Sequence, residues 1–326
     1  MVQTLAARMV FAAPRLAFLS RRLVRLAVSL WLLLTLAFLM VHLIPGDPVR
    51  ASLGLTAPLE LIEARRQALG LDQPLLVQYG AYLRGLVQGD LGTSFTSQLP
   101  VAQIIAQRLP NTLALACLAL AIVLLLGVSI GLAMAVVARR GRHRRADTAF
   151  NAVSGVLTAM PEFVSAVALT SLFAVVLQWL PAAGLAGPRS YILPLAALSI
   201  GHAAALARIV RVEALKILQQ DYMRTARAKR LTWFGLYVKH ALPNCLTATL
   251  TVGGLILSSL IAGTVLVENV FAWPGLGSAT VLSITQKDYP LTQGLILTLG
   301  TIILLVNFAI DLLIVAVDPR SALGDS

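Results

Sequence analysis

The residues most able to bind a partner or do chemistry lie in a polar, basic segment, residues 213–244, between two long apolar runs. Its acidic side chains are Glu213 and Asp221, and its basic ones are Lys216, Arg224, Arg227, Lys229, Arg230 and Lys239. Such charges cannot be placed in lipid without a large energetic cost. The segment therefore lies in water, and the pattern predicts a docking surface.

Groups that would carry out catalysis are missing from this sequence. No stretch reads G-x-x-x-x-G-K-[ST], the loop whose backbone amides hold the phosphates of ATP. No Ser/His/Asp set or pair of carboxylates suggests covalent or acid–base chemistry. The four histidines and two cysteines are scattered, without metal-ligand spacing. We therefore predict no catalytic residue, no metal site and no cofactor on this chain.

The elements around this segment are apolar. Hydrophobic residues make up 58% of the chain and charged residues 12%, which excludes an ordinary soluble domain. A bilayer core of roughly 30 Å needs about 20 apolar residues per helix, and no run alternates like a barrel strand. We predict an all-α polytopic membrane protein with six transmembrane helices, in windows 23–44, 111–138, 148–180, 191–212, 245–267 and 291–317.

Basic residues predict the orientation of these spans. With the N-terminus inside, most of the 26 lysines and arginines fall on the cytoplasmic side, so both termini are predicted to be cytoplasmic. The net charge of +12 then reflects topology and attraction to anionic lipid, not nucleic-acid binding. The predicted parts are a cytoplasmic extension (1–22), the first span (23–44), an external segment (45–110), a five-helix core (111–317) that contains the 213–244 loop, and a cytoplasmic tail (318–326).

Cap signals divide the 213–244 loop. Asp221 is a predicted N-cap for a short helix through Lys229, and Thr232 for a second helix over residues 233–242 that stops before Pro243. The first helix would present a row of side chains to a partner. This row is Tyr222, Met223, Arg224, Thr225 and Arg227. The alternative is a plain basic connector.

A second loop and two glycine pairs complete the pattern. In FAWPGLG, Pro274 and Gly275 predict a turn, and the aromatic residues Phe271, Trp273 and Tyr289 suit the membrane interface. Small residues let helix backbones approach closely. We therefore predict close helix packing at two pairs, Gly127 with Gly131 and Gly253 with Gly254.

Taken together, these residues resemble the B-type permease subunits of the dipeptide/oligopeptide/nickel family of binding-protein-dependent ABC importers. The likeness runs from Arg21 nearly to the end of the chain. It rests on HLIPGDPV (42–49), EA (213–214), DYMRTARAK (221–229), HALPN (240–244), VENVFAWPGLG (267–277), KDYP (287–290), Asn307, Asp311 and DPR (318–320). Two residues depart from the family pattern: Arg230 replaces a usual glycine, and Glu162 a usual neutral residue.

The resemblance implies a type I importer permease fold in a bacterial inner membrane, with the chain forming half of a pore for peptides or a related small solute. It implies a second homologous, C-type permease, an external substrate-binding protein and two ATPase subunits that bind ATP and Mg. The implied ATPase-coupling residues are Glu213, Ala214, Asp221, Tyr222, Met223, Arg224, Thr225, Ala226, Arg227, Ala228, Lys229 and Arg230. The implied external gate consists of Glu268, Phe271, Trp273, Pro274 and Gly275.

Glu162 is a candidate for the substrate path. On a straight helix it would lie about 21 Å beyond Thr148, at 1.5 Å per residue. Beside Pro161 it would either meet the ammonium group of a substrate or form a hydrogen bond to a neighbouring helix. An ion-coupled secondary transporter is the alternative function, but only Glu162 suits it and the docking loop would be unexplained. The sequence does not choose among dipeptides, longer peptides, glutathione, nickel chelates and sugars.

Overall fold

The computed structural model describes most of the chain. Its backbone is described at residues 2–43, 49–50, 57–68, 70–139, 144–229, 232, 235–237 and 242–317. Side chains are described in these ranges except at residues 2–18, 41–43, 65, 139, 224, 227, 242–251 and 314–317. The Arg230 departure and the motif residues 318–320 lie outside the described residues, as do residues 44–48 of the 42–49 motif.

Most of the described residues form α-helices. They are α1 (Val2–Leu43), α2 (Leu59–Ala68), α3 (Leu75–Val87), α4 (Val101–Arg139), α5 (Arg144–Ala159), α6 (Glu162–Leu169), α7 (Ile192–Leu218), α8 (Asp221–Ala228), α9 (Leu242–Val270), α10 (Leu276–Thr285) and α11 (Tyr289–Val317). Within the described part, five stretches are long and apolar enough to cross a membrane: Leu19–Met40, Val101–Ala138, Pro188–Leu218, Val252–Val270 and Tyr289–Leu313.

The third predicted span is not one straight helix. α5 and the segment Glu162–Val176 meet at a bend of 96°, and together they make a sixth, broken span. Pro161 stands at the break with an extended ψ of 142°. The helix breaks here because proline lacks a backbone N–H and keeps the preceding residue out of the helical region. Glu162 therefore begins a new helical segment, and the 21 Å placement along a straight helix was wrong.

Glycines permit close helix contact between α4 and α7. A Cβ atom on Gly131 would lie 2.6 Å from the carbonyl oxygen of Ala207, and one on Gly127 would lie 2.8 Å from Leu206. α9 meets α11 in the same way, since a Cβ on Gly254 would lie 2.5 Å from Ile310. The close packing predicted from these small residues is confirmed.

Segment 45–110 contains α2 and α3, and contacts of α3 and of the turn before α4 join it to the bundle. The Tyr79 ring on α3 packs edge-on against Phe38 of α1, with ring centroids 5.1 Å apart. Farther along, the buried Asp288 carboxylate accepts hydrogen bonds from the Ser94 hydroxyl at 2.5 Å and the Phe95 amide at 3.1 Å. The turn before α4 is thus tied to the junction of α10 and α11.

The aromatic residues of the 271–290 region lie inside the protein. Trp273 is fully buried, and Phe271 and Tyr289 are nearly so. The Trp273 ring meets Tyr191 edge-on at 4.6 Å, beside the core shared by α4, α7 and α9. These rings therefore pack inside the protein, because the chain after α9 folds back onto the bundle and covers them. Their level at the membrane interface stays a prediction.

Candidate functional site

α8 is a two-faced helix at one end of the bundle. Met223 and Ala226, one turn apart, are buried with Leu132 and Ala135 of α4 and with Leu218 of α7. On its other side α8 exposes a different set of residues. These are Asp221, Tyr222, Thr225 and Ala228, with Lys229 just beyond the helix. Met223 was predicted to face a partner, and this was wrong: its side chain anchors α8 to the membrane helices.

The turns around α8 differ slightly from the sequence prediction. The helix begins at Asp221 itself, whose carbonyl accepts the Thr225 hydroxyl at 3.2 Å. The predicted cap by Thr232 is confirmed, since its hydroxyl accepts the Gly235 amide at 3.3 Å. Leu242 was predicted to end a helix before Pro243, but it starts α9, where proline is tolerated in the first turn.

Charged pairs connect the helices next to α8. Arg211 of α7 pairs with Asp147 of α5, and its guanidinium lies 6.0 Å from the centre of the Phe150 ring. Glu213 and Lys216 form an exposed pair at 2.8 Å on α7, a kind of contact that contributes little stability. The part of α7 that holds α8 is therefore also fastened to α5, the first half of the broken span.

The predicted gate residues meet at the opposite end of α9. Glu268 is fully buried, and its carboxylate accepts hydrogen bonds from the Thr112 hydroxyl at 2.7 Å and the Gly277 amide at 2.7 Å. It also accepts the Ser278 amide at 3.2 Å, and the Thr112 oxygen accepts the Leu276 amide at 2.8 Å. The carboxylate thus caps the N-terminus of α10, where negative charge is favoured.

Glycine is required where the chain passes this carboxylate. A Cβ atom on Gly275 would overlap the Glu268 carboxyl group, and one on Gly277 would overlap the α9 backbone. The Asn111 amide donates to the Pro274 carbonyl at 2.8 Å, and the Trp273 indole donates to the Asn111 carbonyl at 3.4 Å. The structure therefore brings all five predicted gate residues into one hydrogen-bonded turn.

Sequence reasoning missed the α4 residues that hold this turn. Arg108, Asn111 and Thr112 surround Pro110, and all three bond to the turn or to Glu268. A signal was available, because polar residues at the start of an apolar helix need partners when they are buried. The partner lay more than 150 residues away in the chain, so the pattern alone did not identify it.

Glu162 lies where three apolar helices meet. One carboxylate oxygen is 3.6 Å from His202 Nδ1 on α7, and His202 Nε2 is 3.1 Å from the Ser259 hydroxyl on α9. A Cβ on Gly263 would overlap the Glu162 carboxyl group, so a glycine leaves room for it. In the described part of the chain no lysine or arginine pairs with this carboxylate. His202 and Ser259 were missed; the signal was a histidine within an apolar run.

These features define a polytopic membrane transport subunit, with a two-faced helix at one end of the bundle and a capped turn at the other. The chain belongs to the family "Binding-protein-dependent transport system inner membrane component", which matches residues 127–322. The N-terminal family of the same membrane components matches residues 15–116. The protein is thus a multi-pass inner-membrane permease subunit of an ABC importer and contributes to its translocation pore.

Two relatives and one solved structure support this placement. The chain is 40% identical to the glutathione transport system permease protein GsiC of Escherichia coli O6:H1, over 93% of this chain and 97% of the relative. It is 39% identical, with the same coverage, to GsiC of Salmonella paratyphi A. The inward-facing methionine ABC transporter MetNI matches with a TM-score of 0.54 and 19% identity, over 66% of this chain and 96% of that one. The fold is therefore that of type I importer permeases, as predicted.

Proposed function

We propose that this chain is the B-type permease of an importer for peptides or a related small solute. It would form half of the pore with a homologous C-type permease and receive solute from an external binding protein. Two separate ATPase subunits would hydrolyse ATP on the cytoplasmic side, where both termini lie. The peptide class is supported by the relatives, which are glutathione permeases, since glutathione is itself a small peptide.

The observation that supports the coupling role best is the two-faced packing of α8. An exposed face that includes Tyr222 and Thr225 is available to an ATPase, while Met223 and Ala226 hold the helix to α4 and α7. A push on the exposed face would therefore move α4 and α7 together as a packed body. Interfaces of this kind convert small displacements into discrete helix movements. We assign coupling to Glu213, Ala214 and residues 221–230.

Glu162 is our candidate contact in the substrate path. Its carboxylate lies at a helix break within the membrane, and ionisable groups at such depth are costly unless they are used or paired. A substrate ammonium group would supply the cation that the described neighbours do not. The alternative is a structural carboxyl group, neutral or hydrogen-bonded to a neighbouring helix. His202 Nδ1 lies 3.6 Å from it and 3.0 Å from the Leu198 carbonyl oxygen.

Co-purification tests the coupling assignment. Tyr222→Glu with Thr225→Glu places two charges on the exposed face of α8 and leaves Met223 in its cluster. We expect the ATPase subunits to be lost while the permease still inserts in the membrane. Gln88→Glu, on an exposed residue just after α3, is the matched control and should retain them. Retention of the ATPase subunits by both variants would contradict docking at α8. In a separate transport assay, proton-driven uptake by this chain alone would favour an ion-coupled secondary transporter.

The substrate is tested on the binding protein. Titration of the cognate binding protein with dipeptides, longer peptides, glutathione and nickel chelates should show tight binding for one peptide class. Uptake of that ligand should then require this permease. If only a ligand without a peptide bond binds, the substrate class is wrong although the importer assignment still stands.

A further inference from the structure

A cavity of about 400 Å³ lies between α1, α9 and α11, away from α8 and from Glu162. Basic and polar side chains line one part of it and apolar side chains the other. The lining is Arg22, Arg25, Leu26, Ser29, Leu255, Leu304, Asn307, Phe308, Ile310 and Asp311. No residue of α8 and no residue of the turn capped by Glu268 lines this cavity.

The polar part of the cavity carries a net positive charge. Arg22 pairs with Asp311 at 2.7 Å, and these two charges cancel. Arg25, one turn farther along α1, is exposed and forms no ion pair within the described part of the chain. The Ser258 hydroxyl donates to Asn307 Oδ1 at 2.7 Å, and the NH₂ group of the same side chain is a hydrogen-bond donor. Arginine, amide and hydroxyl donors together suit a phosphate group.

The position of the cavity in the bundle matches the edge of a membrane. Arg22 stands near the start of the span Leu19–Met40, and Asp311 near the end of the span Tyr289–Leu313. The polar residues are therefore at headgroup level on the face where α1 begins and α11 ends. Leu304 lies seven residues deeper than Asp311, which is about 10 Å at 1.5 Å per residue.

The apolar wall continues from the polar part toward the hydrocarbon. Leu255 of α9 lies in a membrane span, and its side chain is 63% exposed. It faces the same cavity as Leu304 and Phe308. Phosphate-binding donors above an open apolar groove are the arrangement that a phospholipid requires. Basic pockets between transmembrane helices bind anionic lipid headgroups in this way.

We propose that this cavity binds an anionic phospholipid, with its phosphate near Arg25, Ser29 and Asn307 and one acyl chain along Leu255, Leu304 and Phe308. The lipid fills the gap between α1 and the rest of the bundle. Its binding does not depend on the transported solute, and the proposal stands whether or not peptides are the substrate.

The test is native mass spectrometry of the full chain, purified with its co-purifying subunits, stripped of lipid and titrated with phosphatidylglycerol. We expect Arg25→Gln to weaken binding about fivefold, the effect of one basic side chain near an anionic headgroup. Arg21→Gln, an exposed arginine on the same helix that does not line the cavity, should bind like wild type. Leu255→Trp fills the groove without altering charge and should also lose the lipid.

Several outcomes would overturn the proposal. Equal weakening by Arg25→Gln and Arg21→Gln would mean that diffuse surface charge attracts the lipid. Equally tight binding of phosphatidylcholine would exclude a site for anionic lipid, and displacement by equimolar inorganic phosphate would point to a soluble phosphate ligand. If wild type binds no more lipid than Leu255→Trp in the intact assembly, another protein chain covers the cavity.

Discussion

Replacing Glu268 by alanine removes the acceptor at the centre of the turn between α9 and α10. The Thr112 hydroxyl and the Gly277 amide then lose their hydrogen-bond acceptor inside the protein. The Ser278 amide also loses its acceptor, but it is only half-buried, so water can replace the carboxylate there. A buried donor left without an acceptor costs about 1–3 kcal/mol. Two such donors give a loss of about 2–6 kcal/mol in the free energy of unfolding.

Thermal unfolding of the purified protein measures this loss. For globular domains of about 150–250 residues, 1 kcal/mol shifts the midpoint by about 2–4 °C; on this scale we expect Glu268→Ala to lower it by at least about 4 °C. Asn269→Ala changes the neighbouring, exposed residue and should leave the midpoint within about 2 °C, since surface changes rarely exceed about 0.5 kcal/mol.

A double-mutant cycle identifies the cause. Thr112→Ala should be destabilising alone but should add less than its single effect when Glu268 is already alanine, because the two side chains share one hydrogen bond. If Glu268→Ala unfolds at the same temperature as Asn269→Ala, the carboxylate does not hold the turn. Strict additivity of Thr112→Ala and Glu268→Ala would equally refute the reasoning.

Further predictions concern other parts of the chain. Gly131→Leu should separate α4 from α7 and lower the amount of folded protein in the membrane. The same change at Gly155, where an added Cβ would meet no other atom, should leave that amount unchanged. Equal yields of the two variants in fluorescence-detected chromatography would contradict the packing argument. Glu162→Gln should reduce uptake of a cationic substrate more than uptake of a neutral one, and equal losses in a transport assay would indicate a structural carboxyl group. Asp288→Ala should release the turn before α4, so that limited proteolysis cuts near Ser94 faster than in wild type; an unchanged cutting rate would show that the bond to Ser94 is dispensable. Arg230→Gly should leave transport intact or improve assembly, and loss of ATPase co-purification would make Arg230 a specific contact.

The sequence alone determined the membrane class, the approximate spans and the place of the short helix α8 in the basic segment. These features depend on local composition, because hydrocarbon demands about 20 apolar residues per helix and a charged loop must remain in water. The small-residue pairs also predicted close packing correctly, since contact distance depends on side-chain size at a few positions. The break at Pro161 was encoded locally as well, but the unbroken apolar run concealed it.

Only the tertiary structure decided which way side chains face and which distant residues meet. Met223 was predicted to face a partner and Trp273 to suit the membrane interface, yet both are buried inside the protein, because burial depends on the helices that pack over them. The contacts of Glu162 with His202, and of Asp288 with Ser94, join residues far apart in the chain. No local periodicity encodes such pairs, because they arise only when separate helices come together and each buried polar group must find a partner.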